Sequence, residues 1–203
     1  MVSKVTTEKK IISTAKEKFF ANGFQKTTVD ELASELKISK KTIYKYFSSK
    51  EEIAGAVMVE MRNYISSKVT EIVSSKATSV DKLYKFTQVL SELSVSVNNR
   101  WLDDMRIYLP EIWKQVDEFR AKVLYTNFKR IFEQGKREGL VNDNDNEIML
   151  QILVASIQKI ISPDFILNNN YSLKSALDEL ISVLMNGMLT SKGNKQLTKV
   201  KRN

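Results

Sequence analysis

Apolar residues recur at helical spacing along nearly the whole chain, and this periodicity constrains the fold more than any other feature of the sequence. Ile11, Ile12, Ala15, Phe19 and Phe20 form one stripe. Val29, Leu32, Ala33 and Leu36 form a second, and Ile43 with Phe47 a third. Longer stripes run from Ile53 to Ile72, Leu83 to Val97, Ile112 to Phe132, Ile148 to Ile161 and Leu173 to Met188. The chain has only two prolines and six glycines, fewer turn residues than a β-rich fold usually needs. The expected fold is all-α: a three-helix N-terminal domain, then a larger helical bundle, with about nine helices in total.

Local signals place the helix ends. Gly23 suits a left-handed C-terminal cap for the first helix. Thr28-Val-Asp-Glu31 reads as a capping box that opens the second. Lys37 and Ile38 make a turn, Ser39 caps a third helix over Lys40 to Phe47, and Ser49-Lys-Glu-Glu52 reads as a further capping box. Asn98-Asn99 breaks the chain before a short segment that stops at Pro110, a good first residue for the next helix. Ser172 is expected to cap the last helix. The domains expected are residues 1–48, 49–190 and a basic, disordered tail, 191–203.

Composition removes many functions. The chain of 203 residues contains no cysteine and no histidine. Disulfides, thiolate sites, cysteine nucleophiles and the Ser-His-Asp plan are excluded. No enzyme activity, metal or cofactor is expected. No apolar run approaches the ~20 residues needed to span a bilayer, and the polar N-terminus lacks a signal-peptide pattern. A cytoplasmic location and no membrane partner are therefore expected.

The formal charge of +8 is unevenly placed. Residues 1–50 carry eleven lysines against five acids. The last thirteen residues hold Lys192, Lys195, Lys199, Lys201 and Arg202 with no acid, and the middle is mildly acidic. A basic head on an acidic body points to a polyanion met by the end of the chain. In the third helix Ile43 and Phe47 take one side. That leaves Lys40, Lys41, Thr42, Tyr44 and Lys45 on the other, where lysine can donate to guanine and tyrosine hydroxyls can meet phosphates.

The segment Thr27 to Ile53 resembles the DNA-binding signature of the TetR family of bacterial transcriptional regulators. The likeness rests on the threonine before the second helix, Leu32-Ala33 within it, Ser39-x-x-Thr42-Ile43-Tyr44-x-Tyr46-Phe47 and Ser49-Lys50-Glu51. It departs from the family at Lys37 and Lys41, where glycine is common. The resemblance implies a helix-turn-helix DNA reader. Thr28, Tyr44 and Lys50 would hold the DNA backbone and Lys40, Lys41, Thr42 and Lys45 would lie nearest the base edges, with Ser39 and Tyr46 completing the candidate DNA-binding set. It also implies a homodimer formed through the last two long helices, bound to a palindromic operator as a repressor and released by a small-molecule effector.

The last helix is apolar around more of its circumference than one neighbour needs, which suits such an interface. Trp101, Tyr108, Trp113, Phe119, Tyr125 and Phe128 are candidate pocket residues, with Arg100, Arg106 and Arg120 able to face an acidic ligand. Two rivals are a helical enzyme using Asp103-Asp104 or Asp143 and Asp145, and a membrane-surface protein using the basic tail.

Overall fold

Helix α1 (Val2–Asn22) turns the Ile11, Ala15 and Phe19 side chains, all fully buried, onto one face. In the computed structural model, which describes residues 2–95 and 97–202, it ends at Gly23, whose φ of 91° is open to glycine alone at little cost. A Cβ at Gly23 would also lie 2.6 Å from Asp104 Oδ2. Helix α2 (Val29–Leu36) starts with the expected box: Thr28 Oγ1 accepts from the Glu31 amide at 3.1 Å, and Glu31 Oε2 accepts from the Thr28 amide at 2.7 Å. It stops at Lys37, held left-handed at φ 54°.

Helix α3 (Lys40–Tyr44) is shorter than the expected Lys40–Phe47. Its end tightens: the amides of Lys45 and Tyr46 bond three residues back, to Thr42 O and Ile43 O. Phe47 still reaches the core. Helix α4 (Lys50–Ser74) is capped by Ser49, but Glu52 does not complete the box. Its carboxylate bonds the Ser48 amide and hydroxyl instead, one residue further back, and these bonds hold its pKa below the usual value. At 25 residues α4 is about 37 Å long and leads from the first domain into the second.

The body comprises α5 (Ser79–Val95), α6 (Asn99–Tyr108), α7 (Pro110–Glu138), α8 (Asn146–Ile160), α9 (Pro163–Asn168), α10 (Leu173–Met188) and α11 (Ser191–Val200). Eleven helices are thus present among the described residues, rather than about nine. One addition is the single turn and a half of α9, begun by Pro163 and capped by Ser162. The other is α11, which corrects the expectation of a disordered tail over the described part of residues 191–203. Leu197 is buried, Gln196 Nε2 donates to Thr78 Oγ1 at 2.6 Å, and Lys192 Nζ donates to Glu138 O at 2.9 Å. Gly193 lets the helix close on the backbone, since a Cβ there would stand 2.1 Å from Leu140 O.

Two cores result. One gathers Phe19, Phe24, Leu32, Ile43, Ile53 and Val57, and it includes Trp101, Met105 and Leu109 from α6 and Val116 from α7. The other gathers Leu83, Phe128, Phe132, Leu150 and Ile166. The first core therefore extends well past residue 48. Among the described residues no helix is long and apolar enough to cross a membrane.

Candidate nucleic-acid interface

Ile43 (0 % exposed) and Phe47 (5 %) anchor α3 against the first core. That fixes the opposite face outward: Ser39, Lys40, Lys41, Tyr44 and Lys45 are exposed, with Thr42 and Tyr46 half-buried. Ser39 accepts from the Thr42 amide at 3.0 Å and its hydroxyl meets that of Thr42 at 2.8 Å, so both are held at the helix start. A five-residue helix with three exposed lysines around it presents a positive surface.

The lysines differ in what they do. Lys41 and Lys45 make no ion pair among the described residues. Lys40 bonds Asp30 at 2.8 Å, and that bond raises its pKa. Lys50 is engaged elsewhere: its ammonium donates to Phe24 O at 2.9 Å and Thr27 O at 3.1 Å, and lies 4.2 Å from the Phe24 ring centre. Burial lowers its pKa. Its donors staple the α1–α2 loop, so its charge sits behind the exposed face where a backbone clamp was expected. Thr28 is exposed and spends its hydroxyl on the α2 cap.

A joint below this face was missed from the sequence. Asp104 on α6 is buried, and its Oδ2 accepts from the Gln25 amide at 2.8 Å. The Asn98 amide donates to Phe20 O, and its side chain to Ala21 O. Trp101 stacks on Phe19 with centroids 5.7 Å apart and meets Phe20 at 5.4 Å. Asp103-Asp104, weighed as a catalytic pair, thus divides into a half-buried residue paired with Arg106 and a buried acceptor for the loop. A signal lay in Gly23 and Asp104 themselves, but residues eighty apart give no local clue to their meeting.

Of the candidate pocket residues, only Phe119 lines the larger apolar cavity of the body, of about 120 Å³. Trp101 belongs to the first core, and Tyr108 and Tyr125 are exposed. Tyr125 donates to Glu147 at 2.6 Å. Phe128 is packed edge-on against Phe86 and Phe132. Trp113 packs against both cores and against Arg120, whose guanidinium carbon is 4.8 Å from its ring centre. Among the arginines, Arg120 lines the cavity, while Arg100 and Arg106 are exposed. Cavity residues the sequence did not single out come from four other helices, with Met61 and Ile65 on α4 among them.

Comparison with known proteins shows what this chain is similar to. Residues 11–57, the span of the first core's own helices, match the family model described as bacterial regulatory proteins, tetR family. That segment is similar to the TetR family of bacterial regulatory proteins. The HTH-type transcriptional regulator YvaF of Bacillus subtilis is 23 % identical over 164 residues, spanning 79 % of this chain and 85 % of the relative. Among solved structures, a transcriptional regulator from Saccharomonospora viridis in complex with choline aligns with a TM-score of 0.70 at 17 % identity. It covers 92 % of this chain and 99 % of its own. FadR from Bacillus subtilis in complex with stearoyl-CoA aligns at 0.58 with 21 % identity, covering 88 % and 97 %. These structures share the fold of this chain over almost its whole length. The matched segment contains α3 and its exposed basic face. Among the described residues no cluster of acids is placed to hold a metal ion.

Proposed function

We propose that this chain is a homodimeric repressor that binds a palindromic operator and leaves it when a small molecule fills the body cavity. The observation that carries the reading is the split of α3: Ile43 and Phe47 are buried, while Lys40, Lys41, Tyr44 and Lys45 stand out. In this reading Lys41, Thr42 and Lys45 face base edges in the major groove. Lys40 exchanges Asp30 for DNA, and Ser39, Tyr44, Tyr46 and Thr28 bond the backbone. Lys50 acts by holding the loop beneath them. The domains proposed are a reading unit over residues 1–48, extended by the first turns of α4 and by α6, and a sensing unit to residue 190 that α11 closes.

Dimerisation through α8 and α10 is supported by their outward apolar residues. Ile148 is 61 % exposed, Ile152 51 % and Val183 61 %. A two-fold pairing would cover them and set two α3 helices about 34 Å apart, one turn of DNA. Release is supported by the route between cavity and reader. Met61 and Ile65 line the cavity on α4, and α4 begins beside α3. An effector that fits one arrangement of α4 better shifts the population toward it. Relatives of this fold carry ligands as unlike as choline and stearoyl-CoA, so the fold itself selects none.

The test is selection of bound duplexes from random oligonucleotides, followed by titration of the winning site. A two-fold symmetric site is expected, with affinity falling on the order of a thousandfold between 50 and 200 mM salt. Lys45→Ala should relax base preference, whereas Tyr44→Phe should weaken all sequences alike. Absence of any sequence preference would overturn the reading.

A further inference from the structure

The cavity between α4, α5, α7, α8 and α10 has an unusual polar inventory. Its lining is aliphatic and aromatic apart from Ser94 and Arg120. The Ser94 hydroxyl donates to Ser91 O at 2.8 Å. Arg120 therefore supplies its charge, and no acidic residue lines the wall to receive a cation.

The guanidinium is held but not saturated. Nη1 donates to Ile161 O at 3.2 Å and to Asp117 Oδ1 at 3.4 Å. The second is long beside the roughly 2.7–2.9 Å of a tight charged pair. Of its five N–H donors, those on Nε and Nη2 have no hydrogen bond among the described residues. Asp117 has an alternative partner in the Trp113 indole, and burial already raises its pKa. Removing Asp117 from Arg120 therefore leaves neither residue stranded, provided an anion takes its place.

Size narrows the ligand further. A volume near 120 Å³ is close to the ~150 Å³ known to hold a benzene ring, which suggests a body of roughly six to eight heavy atoms. A second apolar cavity of about 30 Å³ shares Phe86, Leu90, Ile157 and Leu177 with the first, so spare room continues in one direction, toward α10. We propose that this site takes a medium-chain monocarboxylic acid, its carboxylate on Arg120 in place of Asp117 and its chain along Phe86 toward Leu177. The proposal rests on the effector reading above and names the ligand class of that site.

The test uses the full chain and four probes: octanoate, octan-1-ol, octanoyl-CoA and choline. Binding is followed by calorimetry and by the emission of Trp113, which lies on Arg120; Trp113→Phe serves as the control for that signal. Octanoate should bind at least about tenfold more tightly than octanol, as expected for hydrogen bonds to the half-buried Arg120 charge. Octanoyl-CoA, with its carboxyl group esterified, and choline should bind more weakly than octanoate. Arg120→Met keeps the side-chain bulk and should weaken octanoate by roughly 10- to 100-fold while leaving octanol unchanged. Asp117→Asn removes the competing charge and should tighten octanoate, and it keeps the proposal exposed if Arg120→Met does not fold.

Equal binding of octanol and octanoate, tighter binding of the thioester, indifference to Arg120→Met, or weaker binding in Asp117→Asn would each overturn the proposal. DNA binding measured alongside separates the two readings. A ligand-free chain that ignores DNA overturns the regulator reading, and a DNA-competent chain that ignores octanoate overturns this one.

Discussion

The reading domain and the body are both helical, yet they are organised differently. Local caps are common to both: Thr28, Ser39 and Ser49, like Asn98, Asp145, Ser162, Ser172 and Thr190, accept from amides three positions on. Packing is what sets the reader apart. Its core is closed, with Ile11, Phe19, Leu32, Ile43 and Ile53 at or near zero exposure. The body has longer helices, leaves an apolar cavity open between five of them, and carries exposed apolar residues on α8 and α10. A surface that must present a fixed pattern to DNA needs a rigid base, whereas a site that must sense a molecule needs room that can be filled. The two meet at Asp104, Trp101 and Asn98, so the base of the reader is partly made by the body.

The comparison predicts a graded set of outcomes. Phe19→Ala removes a ring from the closed core and from the Trp101 stack. It should cost about 3–5 kcal/mol in thermal or urea unfolding, abolish DNA binding and shift Trp101 emission. A loss below about 1 kcal/mol would mean the core can yield.

Asp104→Ala and Glu138→Ala form a matched pair. Each removes a carboxylate that accepts from a backbone amide, that of Gln25 at the joint and that of Ser79 at the start of α5. Each should cost about 1–3 kcal/mol, but only the Asp104 change should also weaken DNA binding. Equal effects on DNA would break the claim that the joint is local to α6.

Glu138 also sets a pH dependence. Burial alone would raise its pKa. Bonds from Ser79 and Gln134, with the nearby Lys82 charge, outweigh burial and hold it below the ordinary value. A depressed carboxylate contributes stability above the unfolded-state pKa, near 4.3, and loses it as pH falls through the folded value. Acid titration of stability should therefore be shallower in Glu138→Ala over that window.

Lys37→Gly should stabilise the reader by up to about 1 kcal/mol, because glycine accepts φ 54° without a Cβ penalty. Thermal melts would check it. Asp30→Asn should change stability by less than about 0.5 kcal/mol. It should nevertheless tighten DNA binding severalfold in gel-shift titrations at low salt, since it frees Lys40 and removes a negative charge from the face.

Much of the reader was legible before any coordinates. The α2 box, the turn at Lys37, the Ser39 cap and the inward Ile43 and Phe47 are encoded by residues a few positions apart, and local hydrogen bonds reproduce them. Two local readings still slipped. Glu52 had two neighbouring amides within reach and took that of Ser48, and Lys45 and Tyr46 tightened out of the helix. The tail misled because a lysine-rich decapeptide shows only Leu197 and Val200 as apolar residues. Its helix depends on Gly193 fitting against Leu140 and on Thr78, more than a hundred residues away. The aromatic cluster around Pro110 was real but dispersed: Trp101 turned to the reader, Phe128 to the body core, and Tyr108 and Tyr125 to the surface.

By itself, then, the order of residues determined that the chain is helical, where the first helices begin, and which face of α3 must be hidden. Caps and apolar periodicity act over one or two turns, so they can be read along a line. Only the tertiary structure decided that Lys50 braces a loop, that α6 completes the reader, and that Arg120 stands at an apolar cavity. Those outcomes depend on which distant surfaces exclude water together, and no local spacing records that.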